Sequence, residues 1–130
     1  MNEGFDITTI ENAAGDVIYG LGVSKNVFSN RPSSSTKDLT DFVVCRISGP
    51  VIDRCALGEC AFAISLFAKD VSNMKNGKKL SVMEQKLRKG LPYEIGDIVF
   101  KPFTYRVQGD TSDGNGYHAR IVTISAFLKK

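Results

Sequence analysis

The chain has one histidine, His118, and three cysteines, Cys45, Cys55 and Cys60. Neither supply reaches what the usual chemistry of these residues requires. A structural zinc site needs four ligands at paired short spacings. Here nine and then four residues separate the cysteines, so no metal is expected. An odd cysteine count in a chain without a secretory leader also speaks against a disulfide framework. Cys45 and Cys60 stand in apolar strand contexts, where a free thiol behaves as a small hydrophobe. His118 would need a nucleophile or an orienting carboxylate to act as a general base. No motif supplies either, and it reads as a polar residue at the start of a strand.

Other signatures are missing as well. No GxxxxGK[ST] or GxGxxG stands between a strand and a helix. Gly77-Lys78-Lys79 opens a helix without the preceding strand turn. Residues 109–116, GDTSDGNG, offer oxygen ligands but fail the EF-hand spacing, and they read as a plain flexible hairpin loop. No apolar run approaches the roughly 20 residues that span a bilayer. The first residues, MNEGFDITTIENAAG, lack a basic stretch ahead of an apolar run, so a cytoplasmic setting with no membrane contact is expected. The net charge of +3 is too small to imply nucleic acid by itself. These absences predict a non-catalytic protein with no cofactor.

What the chain does contain is a folded domain. At 130 residues it is expected to form one domain, residues 1–130. Its centre is residues 59–69, a strand whose two alternating sets are both mostly apolar. Cys60, Phe62, Ile64, Leu66 and Ala68 form one set; Ala61, Ala63, Ser65 and Phe67 form the other. That pattern predicts a central strand covered on both sides. Residues 41–48, rich in β-branched side chains, predict a strand that breaks at Gly49-Pro50, with Val51 and Ile52 continuing past a bulge. Residues 97–108 predict a third strand, with Pro102 at a bulge or edge because it cannot donate to a ladder. Residues 117–128 predict a long last strand.

Helices are predicted over residues 5–19, with Asp6 as N-cap, and over residues 76–89. In the second, Leu80, Met83 and Leu87 form the apolar stripe. Glu84 and Arg88 make an i,i+4 pair placed on the exposed side. Lys75, Lys78, Lys79, Lys86 and Lys89 share an adjacent arc, about 100° wide at helical periodicity. This arc is the candidate interaction face. It suits DNA phosphates or an acidic patch on a neighbouring subunit, although lysines beside an apolar stripe are usually a solvated face. The expected architecture is α+β: an antiparallel sheet of about four strands packed with two helices. A serine-rich arm at residues 29–40, around Pro32, is expected to be exposed and flexible. The expected core is Ile10, Val17, Val44, Phe62, Ile64, Leu66, Leu80, Met83, Leu87, Val122 and Ile124.

The order of parts carries a resemblance. A helix leads into Val27-Phe28-Ser29-Asn30-Arg31-Pro32, then Asp41-Phe42-Val43-Val44. A second strand ends in Ile64-Ser65-Leu66-Phe67-Ala68, and a helix follows. Two further strands close the chain, the last beginning Tyr117-His118-Ala119-Arg120-Ile121-Val122. This pattern resembles small virion proteins of long-tailed bacteriophages and prophages, of the tail terminator or tail completion (head–tail joining) family. The resemblance implies a self-associated ring, commonly a hexamer, that caps the tail tube and helps join it to the head. Its implied partners are other copies of itself, tail-tube proteins and head-connector proteins, with DNA passing through the ring. The implied setting is the bacterial cytoplasm during assembly, then the virion. The arm at 29–40 and the loop at 109–116 would be contact points. No single residue's role follows from the resemblance. The alternative reading of the residues is a small nucleic-acid-binding α+β module that uses the basic helix face.

Overall fold

Three long strands dominate the protein. In a computed structural model describing residues 5–29, 39–54 and 57–129, they are β2 (Asp41–Asp53), β3 (Leu57–Lys69) and β8 (Tyr117–Lys129). β3 lies between the other two and pairs antiparallel with both. Its ladder with β8 runs without a break from Leu57 opposite Lys129 to Lys69 opposite Tyr117. The β2–β3 ladder shifts register between Ser48 and Ile52. There Gly49 takes φ 78°, a backbone setting open to glycine at little cost. This is the bulge expected at Gly49-Pro50.

The expectation of a four-stranded antiparallel sheet is overturned. Among the described residues the sheet has eight strands, in the order β1 (Val27–Phe28), β2, β3, β8, β5 (Ile98–Phe100), β4 (Glu94–Ile95), with β6 (Arg106–Val107) and β7 (Thr111–Ser112) also paired to β8. It is mixed and curled into a half-barrel, with two helices. β1 (Val27–Phe28) pairs parallel with β2, which makes the sheet mixed. On the far side of β8 the expected third strand is split. β5 (Ile98–Phe100) ends at a 3₁₀ turn, Pro102–Thr104, and β6 (Arg106–Val107) resumes the ladder. Pro102 is the cause, since it cannot donate to the ladder and its fixed φ suits the first position of a turn. β7 (Thr111–Ser112) follows, so the expected open loop at 109–116 holds a short strand. β4 (Glu94–Ile95) folds back on β5 through Gly96-Asp97, with Gly96 at φ 54°, as a two-residue hairpin with leading glycine requires.

Both helices cover one face. α1 (Ile7–Gly20) is capped by Asp6, whose side chain accepts from the Thr9 N–H at 3.3 Å. It packs on β1 and β2 and also touches β4. Because the sheet curls, one helix therefore reaches strands from both of its edges. α2 (Gly77–Gly90) lies over β3 and β8, and Asn76 caps it through the Lys79 N–H. Beneath them sit Ile18, Phe62, Ile64, Leu66, Leu80, Met83, Leu87, Val122 and Ile124, each at most 3% exposed. Of the expected core, only Ile10 and Val17 are half-buried. The opposite face of β3 carries small side chains, and at one end an aromatic cluster. Phe42 stacks on Phe67 at 4.4 Å and meets Tyr117 edge-on at 5.3 Å. The helices thus cover one face of the central strand, not both. Cys45 and Cys60 are buried free thiols, and burial pushes them up to about 12 and about 11. Most of the expected arm, and Cys55, lie outside the described residues.

Candidate interaction surface

Four of the five lysines of the arc lie on α2 and Lys75 just precedes it, and their side chains do not share one fate. Leu80, Met83 and Leu87 point to the core, which turns Lys78, Val82, Gln85 and Lys89 outward as one ridge. Lys75, just before the helix, makes an ion pair with Asp110 at 3.1 Å. Lys79 reaches Asp41 at 3.0 Å. The Lys86 ammonium donates to the Gly22 carbonyl at 3.4 Å, tying α2 to the end of α1. Only Lys78 and Lys89 have no partner among the described residues.

Two polar nodes fix α2 on the sheet. At the first, the Arg120 guanidinium grips Asp110 with two bonds, Nε at 2.6 Å and Nη2 at 2.9 Å. Its third nitrogen donates to Ser81 on α2 at 3.1 Å. The Asp110 side chain is 4% exposed. The Arg120 hydrogen bonds, joined by Lys75, hold its carboxyl down to about 2 against the cost of burial. Arg120 itself is raised, chiefly by the same bond.

The second node corrects an expectation. Glu84 and Arg88 do pair, through two bonds of 3.0 and 3.2 Å, but Glu84 is buried at 6% exposure. A third donor, the Tyr105 hydroxyl at 2.9 Å, completes its coordination. Burial, followed by this bond to Glu84, raises the Tyr105 phenol. Arg88 also lies over the Tyr105 ring, 5.1 Å from its centroid. The helix period carried a hint of this: Glu84 stands about 40° from Leu80 on the wheel, on the flank of the apolar stripe. No local signal announced Asp110 or Tyr105, whose partners are distant in sequence.

His118 does meet an orienting carboxylate. Its Nδ1 lies 2.7 Å from Asp70, across the end of the β3–β8 ladder. No hydroxyl or thiol hydrogen-bonds the ring among the described residues. Nor do those residues include a group of three His, Cys, Asp or Glu side chains suited to a metal. None of their helices is long and apolar enough to cross a membrane.

Three surface features stand out beside these nodes. A groove of about 500 Å³ runs along the outer side of α2, lined by Leu21, Val82, Gln85, Lys86 and Lys89. A second, of about 390 Å³, lies between Arg88, Tyr93, Pro102 and Tyr105. Next to it Phe103 is 87% exposed at the tip of the 3₁₀ turn. That turn is held by the Lys101 N–H to the Ser125 carbonyl and the Ser125 N–H to the Thr104 hydroxyl.

The architecture defines the chain's class: a curled, mixed half-barrel sheet with two helices over one face. Known proteins share this fold end to end. One solved structure, whose name states no function, superposes with a TM-score of 0.64 at 8% identity, covering 99% of this chain and 98% of its own. A chain in the virion of a native gene transfer agent particle superposes with a TM-score of 0.54 at 11% identity, covering 95% and 92%. No family model matches the chain, and no curated protein does.

Proposed function

We propose that this chain is a structural protein of a phage-type particle, of the tail terminator or head–tail completion kind. In this reading copies of it form or join a ring at the end of the tail tube, commonly six in number. The ring contacts tail-tube and head-connector proteins, lets DNA pass, and turns over no substrate. The protein acts in the bacterial cytoplasm during assembly and then in the virion. One observation carries the reading: a chain of a gene transfer agent virion, itself phage-like, has this fold over nearly the whole of both chains. Two further features support it. The wide, exposed faces of α2 and of the 3₁₀ turn suit contacts between subunits. The buried polar nodes fix α2 on the sheet, and a rigid helix face suits a subunit contact.

The nucleic-acid alternative gains nothing from the geometry. Lys75 and Lys79 are engaged with Asp110 and Asp41, so the phosphate-binding row shrinks to a few side chains. Each lost contact weakens affinity and flattens its salt dependence.

The test is assembly. Purified protein, alone and with isolated tail tubes, is followed by sedimentation velocity and negative-stain microscopy. Closed rings, or rings seated on tube ends, are the expected result. A protein that stays monomeric at high concentration and ignores tail tubes overturns the reading.

A further inference from the structure

The two helices carry opposite charge. Residues 5–24, which include α1, contain Asp6, Glu11 and Asp16 and no basic side chain. Residues 75–90, which include α2, contain six basic side chains and one acid, Glu84. These charges do not neutralise one another within the subunit. The described ion pairs of Lys75 and Lys79 go to Asp110 and Asp41, and Glu84 is taken by Arg88. Glu11 accepts the Ile47 N–H at 2.8 Å on the outer edge of β2. Left over are Asp16 on α1 and Lys78 and Lys89 on α2, all exposed and without a partner among the described residues.

Each leftover charge sits on a ridge that also carries an exposed side chain with apolar surface, Tyr19 at the end of the α1 ridge and Val82 within the α2 ridge. Thr9, Asn12, Asp16 and Tyr19 line the outer side of α1, and Tyr19 is 57% exposed. Lys78, Val82, Gln85 and Lys89 line the outer side of α2, and Val82 is 51% exposed. The α2 ridge borders the larger groove, about 500 Å³ with Leu21 in its wall. The two ridges face different ways. Tyr19 opens towards β1, beside Val27 and Phe28. Leu21, two residues on and about 200° further round, opens towards α2.

We infer that the α1 ridge of one copy docks on the α2 ridge of the next, with Tyr19 entering the groove beside Val82 and Asp16 meeting Lys89 at the groove's rim. The inference rests on the ring reading above and names its subunit contact. Because the two patches are different surfaces, the contact is head-to-tail, and repeating it closes a ring or runs on as a filament. The charges set which face meets which and suppress pairing of like ridges. Tyr19 supplies the large, partly apolar anchor such contacts centre on.

The test is charge-swap complementation, read by sedimentation velocity. One variant carries Lys78→Glu and Lys89→Glu; the other carries Asp16→Lys. All three positions are exposed, so both variants keep the wild-type melting curve. Each alone self-associates more weakly than wild type, by roughly tenfold or more. Mixed in equal amounts, the intact α1 of the first meets the intact α2 of the second. The two reversed ridges also complement each other, so assembly returns only in the mixture. Tyr19→Ala weakens assembly in a way added salt does not mimic, whereas the charge contribution fades with salt. If wild type assembles and either charge variant assembles equally well, or the mixture stays as weak as its parts, this contact is overturned while the ring stands. If wild type itself never assembles, even with tail tubes, the ring falls and the contact with it.

Discussion

Asp110→Asn isolates the energetics of the node that clamps α2. The native carboxylate is 4% exposed, accepts two bonds from Arg120 and pairs with Lys75. Its pKa falls from 3.8 to about 2. A drop of nearly two units, at about 1.4 kcal/mol per unit, corresponds to at most about 2.5 kcal/mol of stability, and about 1–2.5 kcal/mol allowing for solvent access. The sign follows from the lowered value. Between the two pKa values the unfolded chain binds the proton more readily than the native one. The contribution is therefore fully present above about pH 4 and is lost as pH falls through 3.8 towards 2. Urea unfolding of wild type and Asp110→Asn at pH 6, 4, 3 and 2 reads this out (roughly pH steps across the window). The stability gap between them should be about 1–2.5 kcal/mol larger at neutral pH than at the acid end, because the asparagine cannot titrate. A gap that keeps one value across the series refutes the assignment of this carboxylate as the charge that holds the helix.

Other perturbations have equally definite outcomes. Leu66→Ala, at a side chain 0% exposed on β3, should lower stability by about 2–5 kcal/mol; a urea midpoint equal to wild type would displace β3 from the centre of the core. At Gly58 an added Cβ would stand 2.5 Å from the Phe5 ring and 3.2 Å from the Ile52 carbonyl. Gly58→Ala should therefore cost about 1–3 kcal/mol, and much less in a Phe5→Ala background; the same cost in both backgrounds would rule out the ring as the obstacle. Ser72 and Asn73 turn the chain between Val71 and Met74 at φ 52° and 65°. Ser72→Gly should raise the melting temperature, relieving a left-handed strain worth roughly 1 kcal/mol; an unchanged or lower value counts against that strain.

What could be read from the sequence divides by periodicity. β2, β3 and β8 are 13 residues each, long enough for alternation to show, and α1 and α2 show three- and four-residue spacing. The two-residue strands β1, β4, β6 and β7 are too short to have a period. They exist because long neighbours offer backbone partners, which is tertiary information. The parallel pairing of Val27 and Phe28 with β2, which made the sheet mixed, could not be inferred from those residues alone. The lysine row on α2 was visible, but the carboxylates that occupy Lys75 and Lys79 lie 35 and 38 residues away in sequence. Charge alone assigns Glu84 to the solvent side; its wheel angle, about 40° from Leu80, points instead to the buried flank it occupies.

The unbroken ladder between β3 and β8 also sets a timetable. Its ends join Lys69 to Tyr117 and Leu57 to Lys129, so β3 emerges from the ribosome long before its main partner has been made. During that interval one edge of an apolar strand is unsatisfied, and its neighbour β2 can shield only the other. Non-local pairing of this kind closes slowly, and an open apolar edge is where nascent chains stick to one another. A holding chaperone, or slow growth at low temperature, should therefore raise the soluble yield far more than it would for a helical protein of this size.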